Sequence, residues 1–336
     1  MTGMRTILAV VLILSIMLTG ASVAEEKPIV KVLILPKFEV GKMYGDFPGE
    51  AQFYYENYLE GSEVFELSGG NLYYKDGIAL YLTNMGKVNA ALSTMAVLSD
   101  PRFDFSNAYI ISTGCAGSAV DSTVMGDVFI ISAAADYDLG HHADGRDLAD
   151  PNGTTWFHDT YYDDCAVIRL NAELTSKVYA LAKDIPLETT EKTRNYMSTA
   201  FDGADWAVRE PKVQLGTTVT GDNYWKGEYD HANALLIVET YDCPDPYAIT
   251  EMEEIGVCSA VQKMGMLDRL IIIRDSVNMD VFMLGVTPES LWGPDYNATT
   301  LDSEDSVEAA DIFATAMENN FKVGKVIIDA ILNGEF

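Results

Sequence analysis

The chain is poor in the residues that build metal centres and disulfide scaffolds. It has 4 Cys and 4 His in 336 residues. No two cysteines form a CxxC pair, and no His follows at zinc spacing, so a structural metal is not expected. In a protein that leaves the reducing cytosol, Cys165 could bridge Cys243, whereas Cys115 and Cys258 read as free thiols. Cations are equally scarce: 22 Lys+Arg stand against 51 Asp+Glu, for a net charge of −29. Such a surface repels nucleic acid and anionic lipid, whose binding needs cations to displace counterions. It also disfavours phosphate, unless a pocket supplies local positive potential. After the first residues there is no apolar run of the roughly 20 residues needed to span a bilayer.

What is present begins with an N-terminal segment of secretory type. Met1–Ala24 carries Arg5, an apolar run over Ile7–Leu18 and a small-residue end at Ala21-Ser22-Val23-Ala24. Cleavage is expected near Ala24, leaving an exported domain over 25–336.

Strand and helix signals then alternate, as in a sheet covered on both faces. Strands are expected over Val30–Leu35, Glu63–Leu67, Gly77–Thr83, Ala108–Thr113, Asp127–Ser132, Val213–Thr220, Ala234–Glu239 and Leu270–Arg274. Helices are expected over Gly49–Leu59, Lys87–Leu98, Ala172–Lys183, Thr189–Tyr196, Ala248–Gln262 and Ser306–Leu332. The fold class is therefore α/β: one three-layer α/β/α domain with a mixed sheet flanked by helices. Between about residues 137 and 212 the pattern weakens into chain rich in Asp, Tyr and Trp. We read this as an insertion that lends aromatic or His side chains to a pocket mouth, or serves an oligomer contact.

Four local features point to a pocket. Ile111–Thr113 runs into a glycine turn, Gly114-Cys115-Ala116-Gly117, whose backbone N–H groups can hold an anion or hydroxyl. Thr218–Thr220 leads to Tyr224 and Trp225, a stacking wall for a flat base. Glu251, Glu253 and Glu254 open a helix. Because helical neighbours point about 100° apart, only one of the three is expected to face the pocket while the other two are more exposed. Finally, Arg274–Asp280 emerges from an apolar strand, where open α/β sheets place ligands.

These stretches, with Gly49–Tyr54, Asn84–Ala91, Asp100–Asp104 and Asp138–His142, resemble the purine nucleoside permease family, which is similar in turn to nucleoside phosphorylases and nucleosidases. The resemblance covers nearly the whole domain and implies a nucleoside phosphorylase-like fold, a purine nucleoside ligand, no cofactor and a homo-oligomer. It implies that Glu253 holds the ribose hydroxyls with Met252 under the sugar, and that Asn278 hydrogen-bonds the base near N7. An amide cannot protonate a purine, so Asp280 or water would act as acid. Tyr224 and Trp225 match the base-stacking segment, and Gly114, Cys115 and Ala116 the turn beside the sugar. His141 is a further pocket candidate.

The departures concern phosphate. Phosphorolytic relatives carry Arg in the early loop and on the strand before the glycine turn. Here Ser112 takes the strand position, and the loop has Lys37, Lys42, Glu39 and Glu50. Glu39 or Glu50 could activate water instead. Two functions compete: cleavage of the N-glycosidic bond by water or by phosphate as co-substrate, and capture of nucleosides for uptake without cleavage. A permease in the literal sense conflicts with a chain lacking a span after its leader.

Overall fold

A computed structural model describes residues 26–150, 153–201, 209–292 and 304–336, with side chains from 310 onward in the last stretch. The expected leader, residues 1–24, lies outside the described residues. Strands β1 (Val32–Leu35), β2 (Glu63–Leu67), β3 (Gly70–Lys75), β4 (Ile78–Tyr81), β5 (Tyr109–Ser118), β6 (Val128–Asp136), β9 (Val167–Arg169), β10 (Val213–Thr220), β11 (Tyr247–Glu251) and β12 (Leu270–Met279) form a ten-stranded sheet. A separate hairpin pairs β7 (His141–His142) with β8 (Trp156–Phe157). The large sheet runs β11-β10-β6-β12-β5-β1-β4-β3-β2, with β9 beside β6. β11 also pairs antiparallel with β5, so part of the sheet curls back on itself.

The two faces are covered by different helices. On one lie α1 (Lys87–Leu98) and a helix over Glu254–Lys263, burying Val97, Ile110, Phe129, Val257 and Val261. On the other lie α2 (Ala172–Ala182) and the long C-terminal helix Glu304–Leu332, burying Ile34, Ile111, Val178, Val323 and Ile327. The central strands are apolar on both sides because both sides are covered, which is why they read as continuous runs. The result is the expected three-layer α/β/α arrangement with a mixed sheet. In chain order the remaining helices of ten or more described residues are α3 (Glu191–Ala200) and α4 (Glu228–Thr240), so Glu254–Lys263 is α5 and Glu304–Leu332 is α6. No described helix is long and apolar enough to cross a membrane.

Three expectations need correction. The run Ala234–Glu239, read as a strand, lies inside α4; a short apolar run has no periodicity to tell the two apart. The expected helix Ala248–Gln262 is two elements, β11 and α5, joined at Met252-Glu253. The glycine turn after Thr113 is not a turn: β5 continues through Ser118. The four cysteines are free thiols.

The segment leading into β10 is fastened by one buried carboxylate. Asp127, fully buried at the start of β6, accepts from Val124 N (2.9 Å), Lys212 N (2.8 Å), Gln214 Nε2 (2.8 Å) and both terminal nitrogens of Arg209. Removing it would leave two backbone donors and the Gln214 amide without this acceptor, while the partly exposed Arg209 keeps its bonds to Glu210 O and Ser122 O. We expect Asp127→Ala to lower unfolding stability by about 2–4 kcal/mol in urea titrations, since each buried donor left unmade costs about 1–3 kcal/mol; a loss under about 1 kcal/mol would show the tether to be dispensable.

Candidate active site

β12 carries a charged residue where the sheet is most deeply buried. Arg274 follows four apolar residues and is 1% exposed. Its Nη1 donates to Cys115 O on β5 (2.7 Å) and its Nε to Glu254 Oε1 (2.7 Å). Its Nη2 reaches Glu253 Oε2 at 3.0 Å and Glu251 Oε2 at 3.4 Å. A second cation arrives from the end of β1: Lys37 Nζ donates to Ser112 Oγ (2.5 Å) and Leu35 O (3.1 Å) and lies 3.2 Å from Glu254 Oε1. Ser112 Oγ in turn donates to Glu254 Oε2 (2.7 Å).

This cluster overturns the expected exposure pattern. Glu251, Glu253 and Glu254 are 7%, 4% and 0% exposed, so all three are buried. The helical argument fails because Glu251 ends a strand, Glu253 caps the helix and only Glu254 lies within it. Each has its own job. Glu251 accepts the hydroxyls of Thr218 (2.9 Å) and Thr220 (2.5 Å), and its other oxygen accepts the N–H groups of Glu253 (2.6 Å) and Glu254 (2.7 Å). It thereby satisfies donors that a helix start leaves orphaned. Burial, with Glu254 and Glu253 nearby, raises its pKa despite Arg274. For Glu254 burial also favours the neutral form, but Lys37 and then Arg274 outweigh it and hold the carboxyl below its usual range.

Above this layer is a cavity of about 190 Å³. Glu50, Glu253, Asn278, Met252, Tyr224, Cys115 and Ala116 all line it, so most of the sequence candidates meet there. Apolar wall comes from Phe38, Met85 and Val277, which sequence reasoning did not single out. Two glycines make room. A Cβ on Gly114 would sit 2.5 Å from Glu50 Oε1, and one on Gly117 would sit 3.0 Å from Asn278 Nδ2. A β-bulge between Ser276 and Asn278 re-aims the end of β12 at that point. Glu50 accepts Lys37 N (2.7 Å) on one oxygen and Cys115 N (2.9 Å) on the other. Glu253 Oε1 accepts Gly86 N at 3.3 Å, and Asn278 Nδ2 donates to Met279 O at 3.1 Å. Burial pushes the Cys115 thiol up, which disfavours its thiolate.

Other candidates lie elsewhere. Glu39 folds back on its own loop, accepting Ala51 N at 2.9 Å as well as Val40 N (2.8 Å) and Gly49 N, and does not line the cavity. Trp225 turns inward to stack on Tyr137 at 5.0 Å. Asp280, fully buried past the bulge, pairs with His231 Nδ1 (2.6 Å) and accepts the Tyr247 hydroxyl (2.8 Å). His141 sits on the β7–β8 hairpin, 5.8 Å from the Tyr162 ring. The described His and Trp side chains between 137 and 212, His141, His142, Trp156 and His158, thus do not line this cavity. No group of three His, Cys, Asp or Glu among the described residues could hold a metal.

A mixed sheet between two helical layers, with carboxylates and an amide gathered at its strand ends, is a nucleoside phosphorylase-like fold. Solved structures bear this out. A 5′-methylthioadenosine/S-adenosylhomocysteine nucleosidase from Neisseria meningitidis superposes with a TM-score of 0.54 at 16% identity, covering 89% of this chain and 99% of that one. Futalosine hydrolase of Helicobacter pylori gives 0.55 at 15% identity, covering 89% and 97%. The chain itself belongs to the purine nucleoside permease family, whose profile matches residues 29–335. A probable purine nucleoside permease of Schizosaccharomyces pombe is 26% identical over 275 residues, 75% of this chain and 74% of that protein. The purine nucleoside permease of Candida albicans is 28% identical over 219 residues, 57% of this chain and about half (52%) of that protein.

The ion cluster yields a pH test. A carboxyl whose folded pKa is depressed adds stability that is fully present above its unfolded value, about 4.3, and is lost as pH falls through the folded one. We expect Glu254→Gln to be less stable than wild type by a constant amount from pH 6 to 8, with the gap narrowing below about pH 4. A gap unchanged down to pH 3 would mean that Glu254 contributes by packing rather than by charge.

Proposed function

We propose that the cavity binds a purine nucleoside and that the exported protein cleaves its N-glycosidic bond with water. One observation carries this reading: Glu50, Glu253 and Asn278, from three separate parts of the chain, line a single small cavity. In it, Glu253 holds the sugar hydroxyls, Met252 packs under the ring, and Tyr224 covers the base. Glu50 takes a proton from water as the water oxygen attacks C1′. The C1′–N9 bond breaks, its electron pair leaves with the purine, and Asn278 donates a hydrogen bond near N7. The departing base takes its proton from solvent, since an amide has none to give up. The fold shared with two nucleosidases supports cleavage as the chemistry.

Water is favoured over phosphate because both cations bordering the cavity are already matched. Lys37 and Arg274 face three buried carboxylates, Glu251, Glu253 and Glu254, so a phosphate would meet no surplus positive charge. A second reading, capture without cleavage, is favoured by the family name. The two readings separate in one experiment. Inosine, guanosine and adenosine are incubated with and without phosphate, and the sugar product is identified. We expect free ribose at a rate independent of phosphate, reduced at least about 100-fold, the range typical of general-base loss, in Glu50→Gln, and reduced in Glu253→Gln, which loses the charge that grips the sugar hydroxyls. Strict phosphate dependence would overturn hydrolysis; binding without any turnover would favour capture.

A further inference from the structure

Glu50, read above as the base, stands on a piece of chain that three consecutive residues after β1 hold in place. Lys37 donates its backbone N–H to Glu50 Oε2 (2.7 Å), and Phe38 O accepts the Glu50 backbone N–H (3.3 Å). The third, Glu39, holds the residues on either side. Its Oε1 accepts Gly49 N, and its Oε2 accepts Ala51 N (2.9 Å). The same carboxylate accepts Val40 N (2.8 Å), and Gln52 N also faces it.

The sequence around this link is shaped to it. Ala51 caps the short helix Gln52–Tyr54 and has no side-chain acceptor for the N–H groups that a helix start leaves free. Glu39 supplies that acceptor from outside the helix. A Cβ on Gly49 would lie 2.5 Å from Glu39 Oε1 and 2.7 Å from Val40 N, so glycine is what lets the carboxylate come this close. Glu50 is therefore fixed at its oxygens by Lys37 N and Cys115 N, and at its root by Glu39.

We propose that Glu39 is a positioning residue for the hydrolysis: it does not line the cavity, but it sets the direction in which the Glu50 carboxylate enters it. This rests on the reading of Glu50 as the base. A general base works only within hydrogen-bond reach of the water it deprotonates, and a misplacement of about 1 Å can cost about 100-fold in rate. A carboxylate suits the task and an amide does not. Backbone N–H groups converge on Glu39, and a carboxylate only accepts, whereas the amino half of a glutamine would point donors at donors.

A double-mutant cycle on inosine hydrolysis by the full chain tests this, with Glu39→Gln, Glu50→Gln and the pair, each assayed at a temperature where it is folded. Glu39→Gln is expected to lower kcat at least about tenfold while KM shifts less than about threefold, since Glu253, Met252, Tyr224 and Asn278 are untouched. In the Glu50→Gln background the same substitution is expected to change kcat less than about twofold, because its effect passes through Glu50. Gly49→Ala, which presses on the link from the opposite side, is expected to split kcat from KM in the same way. A purely structural role would lower the melting temperature and leave kcat of the folded protein unchanged. Crystal structures of wild type and Glu39→Gln give a reading that needs no turnover: in the variant the Glu50 carboxylate is expected to leave Lys37 N or Cys115 N. If the wild type cleaves no purine nucleoside, hydrolysis fails, and these structures alone decide whether Glu39 positions Glu50. Unchanged kcat in Glu39→Gln, an equal loss with and without Glu50, or a Glu50 carboxylate that keeps both bonds in the variant would each overturn the proposal.

Discussion

A guanidinium in the middle of a buried strand must be matched by charge, and the centre of this molecule is organised around that demand. Arg274 bonds to Cys115 O on β5, to Glu251 at the end of β11, and to Glu253 and Glu254 at the start of α5. Lys37 brings the end of β1 into the same network through Glu254 and Ser112. Four strands and a helix are thereby held in register by ion pairs, directly beneath the cavity. Isolated buried pairs add little stability relative to apolar packing, but breaking one is expensive. The cluster therefore acts as a constraint on geometry, fixing where the oxygens of Glu253 and Glu50 point. It also commits the local positive charge, and this makes the cavity a poor host for an anion.

Much of this was legible in the sequence, and the failures are instructive. The long elements were clear: α1 was read with its observed ends, β10 likewise, and α6 was read over Ser306–Leu332. The α/β/α layering followed from them. Where the chain switches element within a few residues, pattern alone misled. Ala248–Gln262 looked like one helix because the strand β11 is short and its junction with α5 carries good helix formers, Met252 and Glu253. The exposure of Glu251 and Glu254 was misjudged for the same reason. Arg274 itself held the missing signal: a cation at the end of Leu270-Ile271-Ile272-Ile273 requires buried partners, and a cluster of carboxylates at 251–254 is the place to seek them.

For the site, residues adjacent in sequence were the weak point. Tyr224 and Trp225 were read as one wall, yet neighbouring side chains diverge, and only Tyr224 reaches the cavity while Trp225 packs inward on Tyr137. Asn278 and Asp280 part company where β12 ends at Met279, just past its bulge, which no local composition announces. Glu39 and Glu50 were equivalent on paper. The loop separates them, since Glu39 binds its own backbone whereas Glu50 bridges Lys37 N and Cys115 N across to β5. The insertion likewise builds its own aromatic cluster around Tyr137 and Trp156, and neither ring lines the cavity.

The most direct test of the account is a crystal structure of the Glu50→Gln variant soaked with inosine, a substitution chosen to slow turnover without changing side-chain shape. The account predicts one nucleoside between Glu253 and Asn278, with the ribose hydroxyls on Glu253, Met252 under the sugar, the purine N7 edge at Asn278, and Lys37 and Arg274 still bound to their carboxylates. A nucleoside absent from this cavity, or one that pulls Lys37 or Arg274 away from Glu254, would contradict it.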